Sequence, residues 1–163
     1  MKQHPSQIEI RMAVPRDAPL IASVLLESFL EYKSLYTEAG FSATTPTIEQ
    51  IEHRMREGPM WVAVCDGVIV GTGSAVQKAD ALYIRGMAVL PAARGSGIGE
   101  RLLSEIERLA VARGYKQLLL STTPFLSSAI QLYENFGFRR SDAGPHDLFG
   151  TPLFTMVKTL DVP

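Results

Sequence analysis

The order of apolar and polar residues along the chain predicts a sheet of six or seven strands. Residues 8–14 alternate between the two kinds, which indicates a half-buried strand. Asp66-Gly67 separates two further stretches and is typical of a two-residue hairpin turn. Gly71 and Gly73 lie inside the second of these stretches, where glycine is typical of a bulge. The stretches that we interpret as strands are residues 8–14, 61–65, 68–77, 81–89, 117–121, 139–141 and 153–160.

Apolar residues spaced three or four apart predict four helices between these strands. Asp17 stands at the expected N-cap of the first helix, and Thr47 with Gln50 has the pattern of a capping box at the start of the second. The third helix follows three glycines, and Ser127 or Ser128 is positioned to cap the fourth. The last three helices are expected to end near Gly58, Gly114 and Gly137.

Residues 31–47 are interpreted as a loop, because polar and aromatic side chains surround Gly40 without a helical period. Tyr32, Tyr36 and Phe41 lie within it. A loop that carries three aromatic rings is predicted to form one wall of a pocket.

Composition and charge narrow the classes of function. With 163 residues and 46% apolar content, residues 1–163 are expected to form a single domain, with residues 1–7 frayed. The formal net charge of −1 gives no electrostatic case for binding nucleic acid or an anionic membrane, which favours a small ligand. Cys65 is the single cysteine, so neither a disulfide nor a cysteine metal site is expected. We therefore expect a cytoplasmic protein without a bound metal.

The most informative stretch places Gly95, Gly97 and Gly99 between an apolar strand and the third helix. Glycines allow close approach of a ligand to the backbone, and the first turn of a helix offers unpaired N–H groups to a phosphate. A P-loop would require lysine after the last glycine, where this chain has Glu100, and the spacing differs from the dinucleotide-binding pattern. The turn therefore predicts an anion site of another class.

Two ordered motifs resemble the GNAT superfamily of acyl-CoA-dependent N-acetyltransferases. Residues 89–99, VLPAARGSGIG, match the family's acetyl-CoA signature V-x-P-x-x-[RQ]-G-x-G-[IV]-[GA]. Residues 129–138, AIQLYENFGF, match its A-x-x-L-Y-x-x-x-G-F element. The resemblance implies an α/β (α+β) fold with a mixed, mainly antiparallel sheet of six or seven strands. Helices would cover both faces, and strands four and five would splay apart to admit the acyl-CoA.

The resemblance also implies which residues form the site. The main-chain N–H groups of the glycine turn would hold the CoA diphosphate, and the end of the fourth strand would pair with the pantetheine arm. The N–H of Met87 would polarise the thioester carbonyl, and the hydroxyl of Tyr133 would protonate the departing thiolate. Arg94 would meet either a phosphate or a surface carboxylate. The cofactor-binding residues so implied are Met87, Ala88, Val89, Arg94, Gly95, Ser96, Gly97, Ile98, Gly99 and Glu100.

The chain departs from the family's pattern at two positions. Leu126 stands where many members have an asparagine that helps to hold the CoA arm, and Ser121 where some have a glutamate base. The general base is therefore left open between Asp80, Glu27, Glu31 and a chain of water molecules that ends on the Tyr83 hydroxyl or a backbone carbonyl.

The predicted activity is transfer of acetyl from acetyl-CoA to a primary amine of a small molecule or peptide, by direct attack in a ternary complex. The alternative is an acyl-CoA-binding sensor or interaction module without turnover, and a homodimer is possible.

On the fourth strand, Tyr83, Arg85 and Met87 are expected on one face, opposite Ile84 and Gly86. Arg85 would either bind a substrate carboxylate or form an ion pair with Asp80 or a helix glutamate.

Overall fold

The computed structural model describes residues 7–161, so the predicted frayed segment, residues 1–7, lies outside the described residues except for Gln7. The strands are β1 (Ile8–Met12), β2 (Met60–Cys65), β3 (Val68–Lys78), β4 (Ala81–Val89), β5 (Gln117–Thr122), β6 (Arg139–Ser141), β7 (Asp147–Leu148), β8 (Thr151–Pro152) and β9 (Phe154–Thr159). The α-helices are α1 (Ala18–Phe29), α2 (Glu38–Thr44), α3 (Ile48–Glu57), α4 (Ile98–Ala112) and α5 (Ser127–Phe136). Short 3-10 helices cover Pro15–Asp17, Leu30–Leu35 and Pro91–Ala93.

Seven strands form one sheet in the order β1-β2-β3-β4-β5-β9-β6. The β4–β5 pair is parallel and the other pairs are antiparallel. A parallel pair needs a crossover connection, and α4 supplies it. The predicted mixed, mainly antiparallel sheet is confirmed.

Helices cover both faces of the sheet. The face that we call the α4 face carries α4 and α5, and its core includes Leu82 and Ile84 of β4. The opposite face, which we call the α1 face, carries α1 and α3, whose Ile21 and Ile51 pack there with Ala88. Two apolar layers therefore enclose the sheet, as burial of both of its faces requires.

Local turn chemistry explains several element boundaries. Asp66 and Gly67 have φ of 50° and 83°, which is the geometry of the predicted hairpin turn. Thr47 accepts a hydrogen bond from the N–H of Gln50, whose side chain accepts one from the N–H of Thr47. This capping box opens α3 as predicted.

The interpretation of residues 31–47 as a loop is wrong. Most of the segment is helical, because the 3-10 helix Leu30–Leu35 extends α1 and Thr37 then caps α2 by accepting from the N–H of Gly40. The Thr37 hydroxyl also donates to the carbonyl of Phe149, which lies in the turn between β7 and β8. Long-range contacts of this kind stabilise a helix that has little apolar periodicity of its own.

Two smaller predictions are also corrected. Leu126, not Ser127 or Ser128, occupies the N-cap position of α5, and no side-chain cap is formed there. The loop between β6 and β9 contains the small β7–β8 hairpin.

Within residues 7–161, no helix combines the length and the apolarity needed to cross a lipid bilayer.

Asp17 is a buried carboxylate at the start of α1. It accepts two hydrogen bonds from Arg11, of 2.8 and 3.1 Å, and one of 2.8 Å from the N–H of Val14. The side chain therefore anchors the end of β1 to the 3-10 turn, although it makes no capping bond to α1 itself. The hydrogen bonds from Arg11 hold the pKa of Asp17 below its usual range.

We expect Asp17→Asn to lower the free energy of unfolding by about 2 kcal/mol at neutral pH, because Arg11 loses its ion pair. The pKa of Asp17 is lower in the folded protein than in the unfolded protein, where it is about 4. The ionised side chain therefore stabilises the folded protein at pH values above about 4. This stabilisation is lost as the pH falls through the folded-state pKa. Urea unfolding of the two proteins should therefore differ at pH 7 and converge in acid. The exposed Glu9→Gln is the matched control. Equal losses in both variants would contradict the assigned role of Asp17.

Candidate functional site

Strands β4 and β5 pair over only the first part of β4. The register runs from Ala81 opposite Gln117 to Ile84 opposite Leu120, and β4 then continues to Val89 without a β5 partner. A wedge therefore opens in the middle of the sheet, between the second half of β4 and the end of β5. The predicted splay between strands four and five is confirmed.

A bulge in β4 lies at the start of this wedge. In the register with β3, Arg85 pairs with Ser74 and Ala88 with Thr72, so Gly86 and Met87 together oppose a single residue. Gly86 has φ of 61°, which favours glycine. Because β5 has also separated, the backbone of Gly86 and Met87 has no registered strand partner on either side.

The bulge changes the face on which the following side chains lie. Met87 packs with Ile84 on the α4 face. A Cβ built on Gly86 would instead lie 3.3 Å from Nη1 of Arg54, a residue of α3 on the α1 face. The prediction that Met87 shares a face with Arg85, opposite Ile84 and Gly86, is therefore wrong. An extra residue in one strand reverses the alternation beyond it.

The glycine turn follows the wedge and leads into α4. Gly95 and Gly97 have φ of 88° and 80°, and a Cβ on either would meet no atom within 4 Å. Gly97 is the N-cap of α4 and has no side chain to satisfy the first N–H groups of that helix. The hydroxyl of Ser96 is turned away to the carbonyl of Ala93, 2.8 Å distant.

These features fit the diphosphate of CoA. Open space lies above the turn, the backbone is exposed by glycine, and the positive end of a 15-residue helix is directed at it. Ile98 itself is buried, so its contribution is that of its backbone. Binding of CoA by residues 95–100 and by Met87, Ala88 and Val89 stays a prediction.

Arg94 spans the space between the glycine turn and α1. Its guanidinium donates to Glu31 at 2.6 Å, to the carbonyl of Ser28 at 3.0 Å and to that of Val89 at 3.1 Å. Of the two alternatives for Arg94, a phosphate or a surface carboxylate, the structure shows an ion pair with the carboxylate of Glu31. Glu31 is engaged in that ion pair, which makes it a poor candidate for the general base.

Tyr133 lies in α5 and is almost completely buried, with 8% of its surface exposed. Its ring packs edge-on against Phe138, with centroids 5.9 Å apart. Burial, and secondly the proximity of Tyr36, raise the pKa of Tyr133 to about 12. The phenol therefore keeps its proton at neutral pH and can serve as an acid but not as a base.

Tyr32, Tyr36 and Phe41 belong to one aromatic cluster, in which Tyr36 and Phe41 are buried. Their role as the wall of a pocket stays a prediction. Tyr36 lies 6.0 Å from Phe41 and 4.9 Å from Phe125, between ring centroids, and Tyr32 lies 6.2 Å from Phe125. Sequence reasoning missed Phe125, which follows β5 and has no periodic signal. Burial raises the pKa of Tyr36, and the nearby Thr123 opposes this shift without a hydrogen bond of standard geometry.

Asp80 is a poor candidate for the general base. It lies in the turn before β4, at the end of that strand remote from the bulge. Six residue steps separate Ala81 from Met87, and at about 3.3 Å per step they span about 20 Å. Direct proton transfer over that distance is excluded, which leaves Glu27 and the water chain among the proposed alternatives.

Of the alternatives for Arg85, the ion pair with a helix glutamate is present. Its Nη2 lies 3.0 Å from Oε1 of Glu57, on α3. Sequence reasoning did not identify Glu57 or Arg54, because both belong to a charged helix face that is typical of solvent exposure. In residues 7–161, no group of three or more His, Cys, Asp and Glu side chains is arranged to hold a metal ion.

Curated relatives of the chain include proteins named as N-acetyltransferases and as N-acetylaspartate synthetases. YjgM of Escherichia coli (strain K12), an uncharacterized N-acetyltransferase, is 30% identical over 145 residues, which cover 85% of this chain and 86% of that protein. Human N-acetylaspartate synthetase is 32% identical over 113 residues. That match covers 68% of this chain but 37% of the human protein.

A solved structure shares the fold. PaiA N-acetyltransferase from Thermoplasma acidophilum, in complex with coenzyme A, superposes with a TM-score of 0.81 at 21% identity, covering 94% of this chain and 99% of that chain. The acetyltransferase (GNAT) family model matches residues 24–138, which include the wedge, the glycine turn and Tyr133. The chain is thus an acyltransferase that belongs to the GNAT family.

Proposed function

We propose that the chain transfers acetyl from acetyl-CoA to a primary amine by direct attack in a ternary complex. The observation that carries this proposal is the wedge between β4 and β5, whose β4 side leads through one 3-10 turn into the glycine turn. A Cβ on Gly99 would lie 2.7 Å from Cδ2 of Leu132, so α5 packs directly on the first turn of α4. The predicted diphosphate site and the predicted acid are therefore held by two helices in contact.

The backbone of the wedge is suited to bind the acyl donor. When bound, acetyl-CoA supplies a thioester whose carbonyl carbon the amine attacks. The unpaired residues of β4 offer main-chain groups to the pantetheine arm, and the N–H of Met87 would stabilise negative charge on the carbonyl oxygen. Fixed backbone dipoles of this kind need no reorganisation during the reaction.

Two proton transfers complete the proposed reaction. As the new C–N bond forms and the C–S bond breaks, the Tyr133 hydroxyl gives its proton to the departing thiolate. The amine loses a proton to Glu27 or to a water chain that ends on the Tyr83 hydroxyl or a backbone carbonyl. Since the phenol starts protonated and buried, its position in the site matters more than its acidity.

The comparisons support this proposal. PaiA from Thermoplasma acidophilum binds coenzyme A on the same fold. The relatives named N-acetylaspartate synthetase are named for an acetylated amine as product. A single catalytic domain, a cytoplasmic location and a homodimer stay predictions for this chain.

Thiol release tests the proposed function. Purified protein is incubated with acetyl-CoA and a panel of primary amines, and free CoA is measured with a thiol reagent. We expect release that depends on both the amine and the enzyme. Tight binding of acetyl-CoA without release for any amine would contradict the proposal and favour the non-catalytic sensor.

A further inference from the structure

We propose that the acceptor amine also carries a carboxylate, as an amino acid does, and that the guanidinium groups of Arg54 and Arg85 bind it. This inference rests on the proposed function, because it concerns the second substrate of the same wedge. Both arginines lie on the α1 face of the sheet, beside the first residues of β4 that have no β5 partner.

Arg85 is the first residue of β4 beyond the last β4–β5 pair. Its Nη2 donates to Glu57, while its Nε is buried and has no hydrogen-bond partner among the described residues. A guanidinium has five N–H donors, and a carboxylate can accept two of them at once. Arg85 therefore keeps donors available at the mouth of the wedge.

Arg54 lies directly over the bulge. Its Nη1 is 3.3 Å from the position that a Cβ on Gly86 would take, one residue before Met87. Its Nη2 reaches the carbonyl of Ala43 at 3.4 Å, which is long for a hydrogen bond. No Asp or Glu oxygen in residues 7–161 is within ion-pair distance of this guanidinium.

A partly buried cation without a counter-ion is unfavourable, and a ligand carboxylate would relieve the cost. Burial, and secondly the positive charge of Arg85, lower the pKa of Arg54. Glu57, Glu38 and Glu49 line the same cavity as Arg54. Glu57 is bonded to Arg85, and within residues 7–161 none of the three carboxylates forms an ion pair with Arg54. The guanidinium of Arg54 therefore stays available to an anionic group of the acceptor.

Unpartnered hydroxyl groups continue the site across the wedge. Ile84 pairs with Leu120 on the α4 face, so the next residues, Arg85 and Ser121, both lie on the α1 face. Ser121 in turn pairs with Thr155 of β9. The side-chain oxygens of Ser121 and Thr155 are buried and, within residues 7–161, have no hydrogen-bond partner.

Buried polar groups are nearly always hydrogen-bonded, so a row of three orphaned atoms indicates a polar ligand. The row runs from Nε of Arg85 to the hydroxyls of Ser121 and Thr155. An amino acid would place its carboxylate at the arginines and its other polar groups along this row. Its amine would then lie near Met87 and the predicted thioester.

Comparison of each amino acid with its C-terminal amide tests the contribution of the acceptor's carboxylate separately from that of the rest of the molecule. Thiol release is measured for the twenty L-amino acids, each beside its C-terminal amide, with spermidine as a cationic reference. We expect at least one acid to have a kcat/KM about 10- to 100-fold above that of its own amide, because a charge-assisted bond is lost in the amide.

Variants then assign that preference to the arginines. Arg85→Gln and Arg54→Gln should each raise the KM of the preferred acid about 10-fold or more and leave the KM of its amide unchanged. Arg85→Lys keeps the charge and should lose less. Arg113→Gln, at an exposed arginine that follows α4, is the matched control and should behave as the wild type.

Thermal stability of the CoA-saturated protein gives a readout that does not need turnover. The preferred acid should raise the Tm more than its amide does, in the wild type but in neither glutamine variant. If acids stabilise selectively while no amine releases thiol, the proposed function fails and the carboxylate site stands. If amides or spermidine match the acids in both measurements, or if the variants affect acid and amide equally, the carboxylate proposal is overturned.

Discussion

Replacing Tyr133 with phenylalanine is expected to lower kcat about 100-fold and to leave the Kd for acetyl-CoA unchanged. General-acid catalysis by a positioned side chain contributes about 10²- to 10⁴-fold, and the substitution removes the proton donor alone. The ring keeps its packing against Phe138, so stability should change little. Steady-state kinetics with a preferred amine, together with calorimetric titration of acetyl-CoA, measure the two quantities separately.

Tyr115→Phe is the control for this prediction. Tyr115 is partly buried against the same core but lies beyond α4, away from the wedge. Because the pKa of Tyr133 is about 12, the wild-type rate should show no decline from ionisation of this residue between pH 7 and pH 9. A Tyr133→Phe variant with wild-type kcat would assign the residue to the core and remove it from the reaction.

Gly97→Ala is expected to weaken the binding of acetyl-CoA about 10-fold or more. Gly97 has φ of 80°, and a non-glycine residue in that region costs about 1–2 kcal/mol. A turn that relaxes to avoid this strain no longer directs its N–H groups at the diphosphate. Because a Cβ at this position meets no atom within 4 Å, a direct clash within the protein is excluded as the cause.

Gly67→Ala separates binding from backbone strain. Gly67 has φ of 83° in the β2–β3 hairpin, and its Cβ would likewise meet no atom within 4 Å. Both variants should lose similar stability in urea unfolding, and only Gly97→Ala should lose affinity. Equal Kd values for acetyl-CoA in the two variants would exclude the glycine turn as the diphosphate site.

Much of the fold is predictable from the sequence because its signals are local. Asp66-Gly67 specifies its hairpin by backbone geometry, and Thr47 with Gln50 specifies the start of α3 by two hydrogen bonds between residues three apart. The glycine turn and Tyr133 lie in two motifs whose order and separation match the family. Each of these features needs only a few neighbouring residues to be recognised.

The missed features depend on contacts between distant residues. α2 is stabilised by Thr37, which bonds to Phe149, more than a hundred residues away. The bulge at Gly86 arises from unequal pairing with β3, so strict alternation misplaced Met87. The environment of Arg54 is set by the carbonyl of Ala43 in α2 and by the bulge in β4. Neither feature can be recognised from the residues that neighbour Arg54 in the sequence.

Calorimetric titration of the wild-type protein with acetyl-CoA tests the central claim most directly. The wedge and the glycine turn predict saturable binding of one acetyl-CoA per chain, weakened in Gly97→Ala and unchanged in Tyr133→Phe. An absence of binding to the wild type would contradict the assignment of residues 87–100 to the acyl donor, and with it the proposed acetyl transfer.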